Sequence, residues 1–296
     1  MENYLIYLCY GKNYFLNETL FSLISFYKYH KNDAIQIIIY TDDVYFFKKH
    51  LSEKVTLIEL NEEKIKYLKG AINFNHRLKI KILEDFSSKF NGNYLFIDSD
   101  TYFKKNSFEL FEKINSDELL MDVCEGKLSE NNGGLATKFK KFLKKQNEFS
   151  TKIDTQTIKI KPDFIIFNSG VIGFNTKFKT VLPFVIEFVD ELYSKCKLFT
   201  IEQIGFNYYF QKIKMPSSTE DFIHHYWYFK EFRVVLNCFF EHHKEKKMDQ
   251  LVLEIDTINP EKLAFDKLKY KKMTFFQKQF RKITTGRKWQ IMEYKL

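Results

Sequence analysis

Short apolar runs alternate with longer amphipathic segments through the first hundred residues. "NYLIYLCY" precedes a helical pattern at about 14–30, "AIQIIIYTDD" precedes a shorter one, "VTLIEL" follows, and a charged helical pattern at about 76–90 leads into "NYLFIDSD". Near-continuous apolar runs bounded by turn residues read as buried strands, and strand alternating with helix predicts an α/β fold whose mostly parallel sheet is covered on both faces. Ligands of such sheets lie beyond the carboxyl ends of the strands. That rule selects Tyr10, Thr41 with Asp42, and Asp98 with Asp100, each where a predicted strand stops. Farther on, residues 122–162 are polar, contain "ENNGG" and "KKFLKKQ", and read as a mobile insert with one basic helix. A second apolar run, "DFIIFNSGVIGFN", is followed by helical patterns near 181–194 and 202–211 and then by "DFIHHYWYF".

The segment "YLFIDSDTYF" ends a buried-type strand on two carboxylates one residue apart. Uncompensated, such a pair repels and one member is driven toward protonation. A hard divalent cation shared with substrate phosphates removes the conflict, since it takes oxygen ligands. An Asx turn or helix cap closing the strand uses the same residues without a ligand, and a lone D-x-D recurs by chance, so its context has to decide.

Composition narrows the class. With 296 residues, 45% hydrophobic and 29% charged, the chain can bury a full core. Its four cysteines, Cys9, Cys124, Cys196 and Cys238, are scattered without a C-x-x-C pair, which signals neither zinc site nor disulfide framework and fits a reducing, cytoplasmic setting. No secretory signal or membrane-spanning run is predicted. The net charge of +9 is concentrated: residues 267–296 hold ten basic groups against Glu293 alone, leaving the first 266 residues balanced.

Taken together, these segments resemble the GT-A-fold nucleotide-sugar glycosyltransferases, especially glycosyltransferase family 8, the type that includes glycogenin and bacterial lipopolysaccharide glycosyltransferases. "YLFIDSDTYF" looks like the family's D-x-D strand, with Ser99 between the carboxylates. "HRLKIKILEDF" is similar to the helix before it, whose arginine reaches toward the nucleotide and its carboxylates, and here Arg77 and Lys81 share one helical face. "FNSGVIGF" resembles the Asn-x-Gly turn lining the donor pocket, with Asn168, Ser169 and Gly170 in place. "IEQIGFN" matches the acidic-Gln-x-x-x-Asn segment through Glu202, Gln203 and Asn207, with Glu where Asp is commoner. "FIHHYWYFK" resembles the histidine motif, although the family's glycine and Lys-Pro-Trp are absent. His225 fits the His-aromatic pair and His224 has the usual distance to Lys230; the alternation Ile223, His225, Trp227 favours His225 on one strand face.

The resemblance spans residues 3–230 and implies a Rossmann-like mixed, mostly parallel sheet flanked by helices. It divides the chain into a catalytic domain over residues 1–255, with a nucleotide-sugar half to about 105 and an acceptor half after it, and a basic extension over 256–296. It further implies Mn²⁺ or Mg²⁺ held by Asp98, Asp100 and His225, and a donor, by family habit a UDP-sugar, bound by Tyr10, Thr41, Asp42, Arg77, Lys81, Asp98, Ser99, Asn168, Ser169, Gly170 and Lys230. Catalytic groups would be Glu202, Gln203 and Asp100, and the acceptor a glycan or lipid-linked glycan, as in bacterial cell-surface polysaccharide synthesis. Sequence leaves inversion or retention open, and the family analogy leans toward retention.

In the extension, Met273, Phe276, Phe280 and Ile283 recur at helical spacing among lysines and arginines. Such a segment suits peripheral attachment to the inner face of an anionic membrane, or packing of its apolar stripe on the catalytic domain. Two other classes compete: a basic nucleic-acid-binding protein, which explains only the tail, and a metal-dependent nucleotidyltransferase, which lacks its glycine-rich loop because "YGKNYF" has one glycine. No nucleic acid is expected as a partner.

Overall fold

In the computed structural model, which describes residues 1–31, 34–51, 54–145, 148–150, 157–161 and 163–293, the first strand shows how the sheet is buried. Along β1 (Glu2–Cys9), Tyr4 and Ile6 enter one hydrophobic cluster while Leu5, Tyr7 and Cys9 enter another. A run without polar alternation therefore serves two apolar faces. The chain continues through α1 (Asn13–Tyr27), β2 (Ile35–Thr41), α2 (Val44–His50), β3 (Val55–Glu59), α3 (Glu62–Lys69), α4 (Arg77–Lys89), β4 (Gly92–Ile97) and β5 (Thr101–Phe103). Next come α5 (Phe108–Asn115), β6 (Leu120–Met121), β7 (Cys124–Lys127), α6 (Gly134–Lys145), β8 (Glu148–Ser150), β9 (Thr157–Lys159), β10 (Ile165–Phe167) and β11 (Val171–Asn175). The last third holds α7 (Leu182–Cys196), α8 (Ile201–Ile213), β12 (Ser217–Ser218), β13 (Ile223–His225), α9 (Phe232–His242), α10 (Met248–Glu254), α11 (Pro260–Leu263), α12 (Phe265–Lys272) and α13 (Phe275–Thr285).

Seven strands form the main sheet in the order β12-β6-β11-β4-β1-β2-β3. Only β11 runs against its neighbours, so the sheet is mixed and mostly parallel, with helices on both faces, as expected. Helices α4, α7 and α8 supply one cluster through Leu78, Ile82, Phe188 and Phe206, and α1 and α5 supply the other through Leu23, Phe26 and Phe111. Burying each such side chain contributes roughly 1.5–3 kcal/mol.

Two small sheets carry the site. β13 pairs antiparallel with β5, setting His225 opposite Thr101, and the Tyr226 N–H donates to the Asp100 carbonyl at 2.9 Å. β7 pairs with β10, which binds the start of the presumed insert to the core. Residues 122–162 are thus not one mobile insert: Asp122 is buried, α6 buries Ala136 and Phe139, and residues 146–147, 151–156 and 162 lie outside the described residues.

The basic extension divides. Trp289 and Ile291 pack against a third cluster formed by α1, α9 and residues around 226–264, Lys267 pairs with Glu231 at 2.5 Å, and Arg281 pairs with Asp266 at 2.5 Å. The stripe of α13 does not pack: Phe276, Phe280 and Ile283 are 82%, 69% and 82% exposed. Among the described residues no helix is long and apolar enough to cross a membrane.

Asn207, fully buried on α8, ties β10 in place. Its side-chain oxygen accepts from the Phe167 N–H at 2.8 Å and its amide donates to the Phe167 carbonyl at 2.7 Å. Leaving that peptide unsatisfied is expected to make Asn207→Leu about 2–4 kcal/mol less stable in denaturant titration; a loss under 1 kcal/mol would mean the amide is dispensable.

Candidate active site

Asp98 and Asp100 follow β4, and the backbone there is fixed from outside the strand. The Asp98 N–H donates to the Gly170 carbonyl at 2.8 Å, continuing the β4–β11 ladder past its last paired residue. Thr101 closes the turn by donating its hydroxyl to the Asp98 carbonyl at 3.0 Å, and Ser99, buried, accepts from the Thr19 hydroxyl at 2.8 Å. Ser99 thus braces the turn on α1 while the carboxylates on either side face the site. This turn is the Asx-like closure that sequence alone permits, and it also presents ligands.

His225 completes a cluster. Ligand atoms of Asp98, Asp100 and His225 all lie within 4.8 Å of one another, and this trio is the one group of its kind among the described residues. His225 Nε2 is 3.2 Å from Asp100 Oδ1, while its Nδ1 is 2.7 Å from Asp122 Oδ2. His224, the alternative, points elsewhere, toward the Tyr228 hydroxyl at 3.3 Å and Glu261 at 3.8 Å. Two carboxylates and one imidazole, set at the edge of the core with Asp98 29% exposed in its side chain, make a donor set that could hold a divalent cation.

The remaining charges follow from that concentration of acid. Burial opposes charge on His225, but Asp100 and Asp122 outweigh it and push its pKa up to about 10. Burial likewise opposes ionisation of Asp100, and His225 and Lys230 hold its carboxyl far below the usual range. Asp98 moves the other way: burial raises it, only partly offset by Lys79 and His225. The carboxylates are balanced by cations of the chain itself: His225 at 3.2 Å from Asp100, Lys79 at 3.0 Å from Asp98 and Lys230 at 2.8 Å from Asp100.

Lys79 takes the place expected of Arg77 and Lys81. Its ammonium is buried, donates to the Ser169 carbonyl at 2.9 Å and lies beside Asp98. Arg77 instead forks onto Asp190 of α7 at 2.7 and 3.0 Å and donates to the Leu68 carbonyl at 2.9 Å, and Lys81 pairs with Glu84. The carboxylates lie toward the helix face that packs inward, reached by Lys79, two positions from each of Arg77 and Lys81. A lysine flanked by Leu78 and Ile80 was the available signal, because a charge between core positions has to find a partner.

The Asn-Ser-Gly turn before β11 links the two halves of the site. Asn168 donates to Glu125 Oε1 at 3.0 Å and its own oxygen accepts from the Gly170 N–H at 2.9 Å, and the Ser169 hydroxyl donates to Glu202 Oε1 at 3.1 Å. Glu202, in the first turn of α8, is 1% exposed, with His76 at 3.4 Å from the same oxygen. Burial raises its pKa, but His76, Lys79 and Ser169 more than offset this and leave it below the ordinary carboxylate value. Its second oxygen, Oε2, is buried and has no hydrogen-bond partner among the described residues. Gln203, beside it, donates to Glu125 Oε2 at 3.4 Å. Asp122, Glu125 and His76 were not singled out by sequence, yet Asp122 ends the apolar run "LLM" just as Asp98 ends "YLFI".

The strand ends near the N-terminus form a separate group. Tyr10 is half-buried under the Lys69 ammonium at 5.9 Å, Thr41 is buried with its hydroxyl accepting from the Asp43 N–H at 3.1 Å, and Asp42 accepts from the Gly11 N–H at 2.8 Å.

Neither a family model nor a curated protein matches the sequence. Among solved structures, mouse xyloside xylosyltransferase 1 superposes with a TM-score of 0.48 and 12% identity, over 74% of this chain and 85% of that one. The galactosyltransferase LgtC, in complex with donor and acceptor sugar analogues, gives 0.45 and 13% over 68% and 69%. The glycosyltransferase GlyE of Streptococcus pneumoniae gives 0.45 and 15% over 81% of this chain and 50% of its own. With TM-scores below 0.5 these likenesses carry no argument for the chemistry, which has to come from the site itself.

Gly170 is required by proximity. Its φ is not positive, but a Cβ there would lie 2.2 Å from His225 Nδ1. Gly170→Ala is expected to keep the far-UV circular dichroism of the parent and to weaken Mn²⁺ binding at least about tenfold by displacing the imidazole. Unchanged Mn²⁺ affinity would show that His225 is not held where it matters.

Proposed function

We propose that the protein is a metal-dependent glycosyltransferase that moves a sugar from a nucleotide-diphosphate sugar, with UDP as the first nucleotide to test, to a glycan or lipid-linked acceptor. One observation carries this reading. A two-carboxylate, one-histidine cluster sits at the carboxyl edge of a parallel sheet, and beside it Glu202 is buried with Oε2 unpartnered. A buried carboxylate oxygen without a donor costs roughly 1–3 kcal/mol or more, which a sugar hydroxyl would return on binding.

In this reading Tyr10, Thr41 and Asp42 line the nucleoside end of the donor, and Asp98, Asp100 and His225 hold Mn²⁺ or Mg²⁺ at its diphosphate. When bound, the cation acts as a Lewis acid that neutralises charge on the departing nucleoside diphosphate. Lys230, half exposed, adds positive charge beside the same phosphates, and Lys79 fixes Asp98 from behind. Glu202 accepts a hydrogen bond from the transferred sugar and, kept ionised by His76 and Lys79, stabilises positive charge developing at the anomeric carbon. Ser169 orients Glu202, and Asn168 and Gln203, joined through Glu125, border the sugar on the other side. Arg77 and Lys81 are given no part in donor binding in this reading, because they pair with Asp190 and Glu84 rather than with Asp98 or Asp100.

The same reading gives the extension a task. The exposed stripe of α13 is flanked by Lys272, Lys278 and Lys282, a combination suited to peripheral attachment on an anionic bilayer that carries the acceptor.

Thermal unfolding with a panel of nucleoside diphosphates, with Mn²⁺ or with EDTA, tests the catalytic reading. At about 100 times its dissociation constant a ligand stabilises by roughly 2.7 kcal/mol. One diphosphate is expected to do so only with metal and only in wild type, and not in Asp100→Ala; no metal-dependent response from any of them would overturn the assignment. For the extension, replacing Phe276, Phe280 and Ile283 together by serine is expected to abolish sedimentation with phosphatidylserine vesicles while leaving nucleotide binding intact. Equal sedimentation of parent and variant would remove the membrane role.

A further inference from the structure

Asp122 lies directly behind the imidazole of the metal cluster. It follows β6, its side chain is about as buried as the core around it, and its N–H donates to the Asn168 carbonyl at 3.1 Å while the Asn168 N–H donates to the Val123 carbonyl at 2.8 Å. That double link fixes the Asp122 backbone to the Asn-Ser-Gly turn. From there Oδ2 meets His225 Nδ1 at 2.7 Å, the shortest polar contact that His225 makes. The ring is also confined by Gly170, where an added carbon would lie 2.2 Å from that same Nδ1 and 2.3 Å from Cε1. His225 is therefore held at three places: its backbone by the β5 pairing, its ring by Gly170, and one nitrogen by Asp122.

We infer that Asp122 is a positioning residue that holds a proton on His225 Nδ1, so that Nε2, grouped with Asp98 and Asp100, is the nitrogen that gives up its proton and offers its lone pair when a divalent cation binds. This rests on the metal-site reading given above. A carboxylate can only accept, so the ring nitrogen facing it must carry hydrogen, and in a neutral imidazole the other nitrogen is then unprotonated. An amide in the same place has no such preference, because its NH₂ can donate to Nδ1 and stabilise the tautomer with hydrogen on Nε2, which cannot ligate. The histidine's basicity as a ligand is raised by the same contact.

The test is direct titration of Mn²⁺ into the whole, metal-stripped protein, without substrate, for wild type, Asp122→Asn and Asp122→Glu, with metal-free melting temperatures measured in parallel. Asp122→Asn is expected to remain folded at the titration temperature although it melts below wild type without metal, to bind Mn²⁺ about 10–100-fold more weakly, and to be partly rescued by Asp122→Glu, which restores an acceptor-only group. Because misfolding of a variant would also weaken binding, the wild-type tautomer is read independently. With ¹⁵N-histidine and Mg²⁺, the resonances lost in His225→Gln should report hydrogen on Nδ1 and an unprotonated Nε2. Hydrogen on Nε2, or Mn²⁺ affinity of Asp122→Asn within twofold of wild type, would overturn the role of Asp122 while leaving the metal site standing. Absence of any Mn²⁺ binding by wild type would overturn both.

Discussion

Acidic groups brought together at the edge of a buried sheet must be neutralised, and much of the site is arranged by that requirement. Asp98, Asp100 and Asp122 converge on one imidazole, with Lys79 and Lys230 at the periphery. In water such a cluster would be inexpensive, but at the rim of the core each unpaired carboxylate carries a desolvation cost. His225 is the shared partner, and the β5–β13 pairing together with the side-chain-free Gly170 brings it into place. Lysines that neutralise carboxylates when no ligand is present, one buried and one half exposed, leave unequal freedom. Lys230 can leave Asp100 for solvent or phosphate, whereas Lys79 is fixed between Asp98 and a peptide carbonyl.

Much of this arrangement was legible in the sequence because it depends on local patterns. Strand ends mark ligand positions in an α/β sheet, and the apolar runs ending at Tyr10, Thr41 and Asp98 could be read as such. The choice of His225 over His224 followed from strand alternation, and the geometry brings His225 to the carboxylates while His224 faces Tyr228 and Glu261. What could not be read was the rotation of a helix. Spacing groups Arg77 with Lys81 but does not say which face turns inward, and packing against α7 gave Arg77 to Asp190 and the buried face to Lys79. Asp122 and Glu125 were obscured because their surroundings are polar in sequence, although pairing of β7 with β10 brings them into the site. In the basic extension the apolar stripe of α13 faces solvent rather than packing on the domain, and it is Trp289, beyond Gly286, that packs.

Glu202 is anchored unevenly: the Ser169 hydroxyl and His76 both meet a single one of its oxygens. The second oxygen is left without a donor although it is buried, which singles Glu202 out among the carboxylates of the site. Its place in the first turn of α8 adds the positive end of the helix dipole to the groups that keep it ionised.

The β5–β13 clip also bears on how the chain reaches its native state. It joins segments separated by more than 120 residues, since Asp100 and His225 are 125 positions apart in sequence. Closing so long a loop is entropically unfavourable and slow compared with forming the neighbouring strand-helix units. During synthesis the carboxylates emerge well before the imidazole that neutralises them. The sheet edge around Asp98 and Asp100 therefore spends its early life with excess negative charge, and the arrival of β13 both completes the cluster and relieves that repulsion, so assembly of the site and late consolidation of this edge of the fold are the same event.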